Sequence, residues 1–258
     1  MLHAFLHGKI RTSLDEAEIG GNLVERFRDC EDFLTAAVFE RLRYLPGDLF
    51  WKVLRKAMIP VGSMPQIVGN LTQSEFWPSW DVSAVVNDRK RCEPDVWLSF
   101  DSVDFVVEVK RSDDVRSQEA KQLALEWIGF HEQSKERPMW LLMVGGLGEK
   151  DVTEFCVQGY YKEILSVLKD SYGKVGNVQL AGTSWQLIAK SLHEVLGDEQ
   201  VGANSQIVIE DILAVLQWHD IHWRQFVWLE SLGRSAKHYC SILDTSLEGF
   251  ARRFHGRR

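Results

Sequence analysis

The chain has 258 residues, 45% hydrophobic and 26% charged, with a formal net charge of −7. Such a composition is that of a soluble globular protein with enough chain to bury a real core, and the acidic balance argues against coating nucleic acid by bulk attraction. No apolar run reaches the roughly eighteen residues of a membrane span, the start lacks the apolar core of a signal peptide, and Cys30, Cys92, Cys156 and Cys240 are too scattered for a disulfide framework or structural zinc, so a reducing cytoplasm is the expected location.

In chain order, residues 14–28 and 30–44 read as helices. In the second, Leu34, Val38 and Leu42 fall at helical spacing, with Phe39 and Leu45 beside them. Pro46 stops that helix, and "GDLFWKVLRKAM" suggests another short one. The texture then changes. "MPQIVGN", "EFWPSWDV", "EPDVWLSF" and "DFVVEVKR" are short, rich in β-branched and aromatic residues and bounded by turn formers, so they read as strands. A helix is predicted over 117–133, with Leu123, Ala124, Trp127 and Ile128 on its apolar side. "PMWLLMV" is a fully apolar strand ending in "GGLG"; a helix near 155–170 and the short strand "NVQLAG" follow. Further helices are predicted at about 183–196, 207–218 and 222–242. The order predicts an α/β core over 25–204, with helical extensions over 1–24 and 205–258.

Two of the strands carry charge where a buried strand should carry none. Side chains alternate faces along a strand, so on "DFVVEVK" Phe105, Val107 and Val109 share one face, and Glu108 and Lys110 share the other. Asp95 starts the preceding strand, and "DSVD" between the two is a hairpin turn. Pairing across that turn brings Asp95 to the Glu108–Lys110 end of the sheet. Carboxylates so close repel by roughly one to a few kcal/mol in a partly wet site, and a hard divalent cation reverses that sign. Oxygens of Asp95, Glu108 and the Val109 carbonyl suit Mg²⁺, with Mn²⁺ as a substitute, and Lys110 adds a cation near an attacking water or a scissile phosphate. The alternative is a structural ion pair between Glu108 and Lys110, which leaves Asp95 unexplained.

"EPD", followed by "EVK" with Glu108 thirteen positions after Asp95, resembles the signature of the PD-(D/E)XK nuclease superfamily. The resemblance covers about residues 25 to 190. It implies a restriction-endonuclease-like mixed β-sheet core flanked by helices, and a Mg²⁺-dependent endo- or exodeoxyribonuclease acting on DNA in preference to RNA. Asp95 and Glu108 become metal ligands and Lys110 the catalytic lysine. A restriction or phage-defence setting, with a partner ATPase or helicase, is the family-level expectation. The rival is a catalytically silent subunit that keeps the fold as a nucleic-acid or protein interaction module.

The superfamily often carries a glutamine on the helix after the lysine strand. Gln118, Gln122 and Glu126 recur every four residues as one polar stripe. Gln122 is the choice and Gln118 the runner-up; the alternative is a solvated helix face. Glu31 and Glu40 are candidates for an additional acid on the first core helix, although Glu31 at a helix start also suits the helix dipole. Arg89, Lys90, Arg91 and Arg111 are candidate nucleic-acid contacts. "GGLG" reads as a plain turn because no Lys-Ser/Thr follows it. His219 and His222 read as core or interface residues. Trp218, Trp223, Phe226 and Trp228 exceed what one helix face needs, and predict a self-association or partner surface within 205–258, beside a basic end at Arg252, Arg253, Arg257 and Arg258.

Overall fold

A computed structural model describes residues 28–86, 89–133, 137–149 and 151–223. The helical spacing of "EDFLTAAVFERL" produces α1 (Glu31–Leu42), with Leu34, Val38, Phe39 and Leu42 fully buried. Pro46 caps the next helix, α2 (Gly47–Ala57), which turns Phe50, Trp51, Val53 and Leu54 inward. The segment "MPQIVGN", expected as a strand, is irregular. Pro65 withholds a ladder donor, and Gly69 takes φ +83°. The segment is stitched instead to the hairpin turn: Asn70 N–H donates to Asp101 and Ser102 N–H donates to the Val68 carbonyl. The strand is the polar stretch that follows it, β2 (Leu71–Phe76); as an edge strand it needs little apolar character.

The remaining strands are β1 (Ile59–Pro60), β3 (Trp80–Asp81), β4 (Arg91–Cys92), β5 (Val96–Phe100), β6 (Asp104–Val109), β7 (Met139–Val144) and β8 (Gln179–Thr183). The helices are completed by α3 (Ala120–Gln133), α4 (Glu154–Tyr172), α5 (Trp185–Leu196) and α6 (Ala203–Trp218). Six strands form one mixed sheet in the order β1-β8-β7-β6-β5-β2, and β3 pairs with β4 in a separate ribbon. β6, β7 and β8 run parallel, whereas β2, β5 and β6 form an antiparallel meander and β1 pairs antiparallel to β8. The expected mixed α/β architecture is therefore present. β6 and β7 are buried along their whole length, as central strands covered on both faces are.

Alternation along β6 divides the core. Val106 packs with Leu123, Ala124 and Ile128 of α3 and with Tyr160 and Ile164 of α4. Phe105 faces the other way and stacks on Trp51 of α2, ring centroids 4.9 Å apart. α5 joins α2 on that side through Ser191, whose hydroxyl donates to the Val53 carbonyl. Helix α3 starts at Ala120, not 117, because Ser117 and Gln118 direct their N–H groups to the Gly146 carbonyl. Among the described residues no helix is long and apolar enough to cross a membrane.

The chain divides into two compact units, 1–221 and 222–258. Helix α6 belongs to the first: Ile209, Ile212 and Leu216 are buried, and it packs on α1 and α5. The predicted helices at 14–28 and 222–242 fall outside the described residues, apart from Arg28, His222 and Trp223. So do the 1–24 extension, Phe226, Trp228 and the four C-terminal arginines. Trp218 is 38% exposed and lies 5.9 Å from the Phe33 ring. His219 is buried and bonds the Arg28 carbonyl through Nδ1, as expected of a core histidine.

At the hairpin end of β6, Asp104 is fully buried, clasped by Arg137 through Nε and Nη2 and by the Ser99 hydroxyl. Arg137→Ala strands a buried carboxylate and is expected to cost about 3 kcal/mol. Asp104→Asn removes the charge itself and should cost less. Urea midpoints of the two variants against the parent chain check the order.

Candidate active site

The β5–β6 register pairs Val96 with Val107, so Asp95 falls opposite Glu108 one step further along. This is the meeting that the hairpin reading requires. Asp95 is nearly buried. One carboxylate oxygen accepts from Val109 N–H at 2.7 Å, the other from Trp77 Nε1–H at 3.2 Å. Trp77 N–H also donates to the Asp95 carbonyl, and Trp77 holds a left-handed backbone, φ +47°. A non-glycine residue in that region is a local strain, accepted here to aim the indole at the carboxylate.

Glu108 projects toward α3 and is 2% exposed. Its Oε1 accepts from Lys110 Nζ at 2.5 Å and from Gln122 Nε2 at 2.7 Å. Its Oε2 is buried without a donor among the described residues. Lys110 Nζ also lies 3.7 Å from Glu31 Oε1, and Glu31 Oε2 accepts from Arg111 N–H. Glu31 thus joins the cluster from the start of α1. Glu40 lies nine residues further along that helix, about 13 Å away along its axis.

The Lys110 backbone is held from several sides. Its N–H donates to the Val144 carbonyl, and its carbonyl accepts from Trp185 Nε1–H at 2.9 Å. Gly145 and Gly146 both take positive φ; a Cβ on the first would strike the Lys110 carbonyl, and on the second the Lys110 side chain. The "GGLG" turn therefore serves close approach. Its first two N–H groups already donate to the Thr183 and Ser112 carbonyls, which leaves neither for a phosphate.

The polar stripe faces inward. Gln118, only 6% exposed, donates to the carbonyls of Glu108 and Gly145 and so ties two strand ends together. Gln122 reaches the Glu108 carboxylate directly and also borders a groove of about 510 Å³, with Arg89, Lys121, Val167 and Tyr172 among its walls. Arg89, Lys90 and Arg91 are exposed. Arg111 is folded back, its guanidinium on the Arg28 carbonyl and the Asp29 carboxylate.

Across the whole molecule, the chain is similar to "Uncharacterized protein PM0110" of Pasteurella multocida (strain Pm70): 30% identical over 250 residues, covering 94% of this chain and 89% of that one. The chain belongs to that protein's family. No family model matches it, and no solved structure does.

Sequence reasoning put Glu126 on the stripe but gave it no role. It is 1% exposed, its carboxyl lies beside the Glu108 carboxyl and the Gln122 amide, and among the described residues neither oxygen accepts a hydrogen bond of regular geometry. Trp77 has no role in the sequence reading; its signal is an aromatic before a proline, eighteen residues ahead of Asp95. Burial, then the charge of Glu108, raises the Asp95 carboxyl well above its ordinary range; burial, then Glu126, does the same to Glu108. Burial pushes Glu126 up to about 7. Burial opposes charge on Lys110, but Glu108 with Glu31 and Asp95 outweighs it, so the ammonium persists.

The folded, metal-free chain thus holds protons that the unfolded chain has released. An acid raised in the folded state stabilises below its unfolded value and loses that contribution as pH rises through the folded one. For Glu126 the window runs from 4.5 to about 7. Melting in EDTA should show stability falling across that range, with Glu126 contributing on the order of 3 kcal/mol. Glu126→Gln should flatten the decline; an unchanged slope would remove Glu126 as its source.

Proposed function

We propose that the chain is a metal-dependent nuclease of the PD-(D/E)XK superfamily, hydrolysing phosphodiester bonds in DNA in preference to RNA. The observation that carries this reading is the convergence of Asp95, Glu108 and Lys110 at one end of the β5–β6 hairpin. The mixed sheet flanked by helices agrees with the restriction-endonuclease-like core that the resemblance implies. The donor set fits a hard cation: the carboxylates are buried, and Glu108 Oε2 lacks a donor.

Asp95, Glu108 and the Val109 carbonyl would hold Mg²⁺ or Mn²⁺. A bound divalent ion lowers the pKa of water and offsets charge on the transferring phosphate. Trp77 and the Val109 N–H orient Asp95. Lys110, kept charged by its acid neighbours, donates to the attacking water or to a non-bridging phosphate oxygen. Gln122, between Glu108 and the groove, hydrogen-bonds the same water or phosphate without altering the charge balance. Arg89 and Lys121 give the groove cations for backbone phosphates, which position a strand without reading its sequence. A restriction or phage-defence role, with an ATPase or helicase partner, belongs to the same proposal.

The test is cleavage of plasmid and oligonucleotides, DNA and RNA, with Mg²⁺, Mn²⁺ or EDTA. Asp95→Asn, Glu108→Gln and Lys110→Met should each lower cleavage at least about 100-fold while melting cooperatively. Wild-type rates in any one of them remove that residue from the mechanism. Nucleic-acid binding without cleavage by the parent chain would favour a catalytically silent subunit.

Gln122→Ala should slow turnover about tenfold, as loss of an outer partner of a liganding side chain does. Gln118→Ala, which frees two buried carbonyls, should lower the melting temperature more than the rate in the surviving fold. The reverse pattern would exchange the two roles.

A further inference from the structure

Among the buried residues of helix α3, Glu126 is the one that carries a polar side chain. Glu126 stands between Leu125 and Trp127, with Ile128 and Phe130 beyond, all buried. A glutamine there would fill nearly the same volume without charge. Around it the polar atoms divide unevenly. Both Asp95 oxygens and Glu108 Oε1 have donors, whereas Glu108 Oε2 and both Glu126 oxygens accept no hydrogen bond of regular geometry among the described residues. The unfilled oxygens thus belong to Glu108 and Glu126, and not to Asp95.

A proton shared by the two glutamates satisfies one oxygen on each, with the Gln122 amide beside the second Glu126 oxygen. A divalent cation satisfies all three at once. We propose that Glu108 and Glu126 together form a buried seat for a divalent cation, in which Glu126 is a ligand. Among the described residues no three His, Cys, Asp or Glu side chains form a metal site. The seat offers two carboxylates, which water or a phosphate oxygen would complete, the partial protein shell that Mg²⁺ and Mn²⁺ accept. Its catalytic meaning rests on the nuclease reading; its existence does not.

The experiment uses the full chain and Mn²⁺ alone, without nucleic acid. Free Mn²⁺ is followed by electron paramagnetic resonance for the parent, Glu126→Gln and Glu126→Asp, each checked for a cooperative melt. The parent binds Mn²⁺, Glu126→Gln binds at least tenfold more weakly, and Glu126→Asp falls between. Anomalous scattering from Mn²⁺-soaked crystals of the parent gives a peak between Glu108 and Glu126, which keeps the test decisive if Glu126→Gln does not fold. Parent-like affinity in Glu126→Gln, no Mn²⁺ binding by the parent, or a peak remote from Glu126 overturns the inference. Cleavage separates it from the nuclease reading. Mn²⁺ binding that depends on Glu126, without hydrolysis by the parent, keeps the seat and discards the nuclease. Hydrolysis by the parent, with Mn²⁺ affinity untouched in Glu126→Gln, does the opposite.

Discussion

The fold is organised around the cost of keeping carboxylates out of water. Asp95, Glu108 and Glu126 are each buried within one small volume, where an isolated ionised carboxylate is strongly disfavoured. Every neighbouring element answers part of that cost. β6 supplies the Val109 N–H, the loop after β2 supplies the Trp77 indole, and α3 supplies the Gln122 amide. Lys110 supplies an ammonium to Glu108. Three buried acids facing one lysine form an unbalanced account, and that imbalance is the reason to read the place as a site and not as a structural ion pair.

The two ends of β6 make the contrast within one strand. Asp104 is just as buried, yet it meets a guanidinium in a two-pronged grip and a serine hydroxyl. Nothing there is left over. At the Glu108 end, four residues away, oxygens are left over. A closed polar network specifies a structure, whereas a partly satisfied one in the same core is costly to keep.

Much of this was legible in the sequence, for identifiable reasons. The hairpin was readable because "DSVD" separates two β-rich runs, and pairing across a short turn fixes which residues meet. Asp95, Glu108 and Lys110 came together on that logic alone. The inward direction of the glutamine stripe was not readable, since a four-residue repeat of polar groups looks the same facing solvent or a buried site. Glu126 was passed over for that reason. β2 was misplaced because "MPQIVGN" carries the apolar texture of a strand, whereas an edge strand with one partner can be as polar as "LTQSEF". The helix start at Ala120 was hidden as well, because the groups that hold Ser117 and Gln118 out of the helix come from the distant "GGLG" turn.

The bond from Val109 N–H to Asp95 has a mechanical side. Up to Val96 and Val107, the rungs between β5 and β6 run from backbone to backbone. Beyond them, the next rung uses a side-chain oxygen where a peptide carbonyl would ordinarily stand. Hairpin ends fray, and here the fraying end is clipped by the Asp95 carboxylate. Loosening Asp95 frees the last β5–β6 rung while the β7 ladder still holds the strand that carries Glu108 and Lys110, so one side of this sheet end is hinged and the other is latched by a side chain.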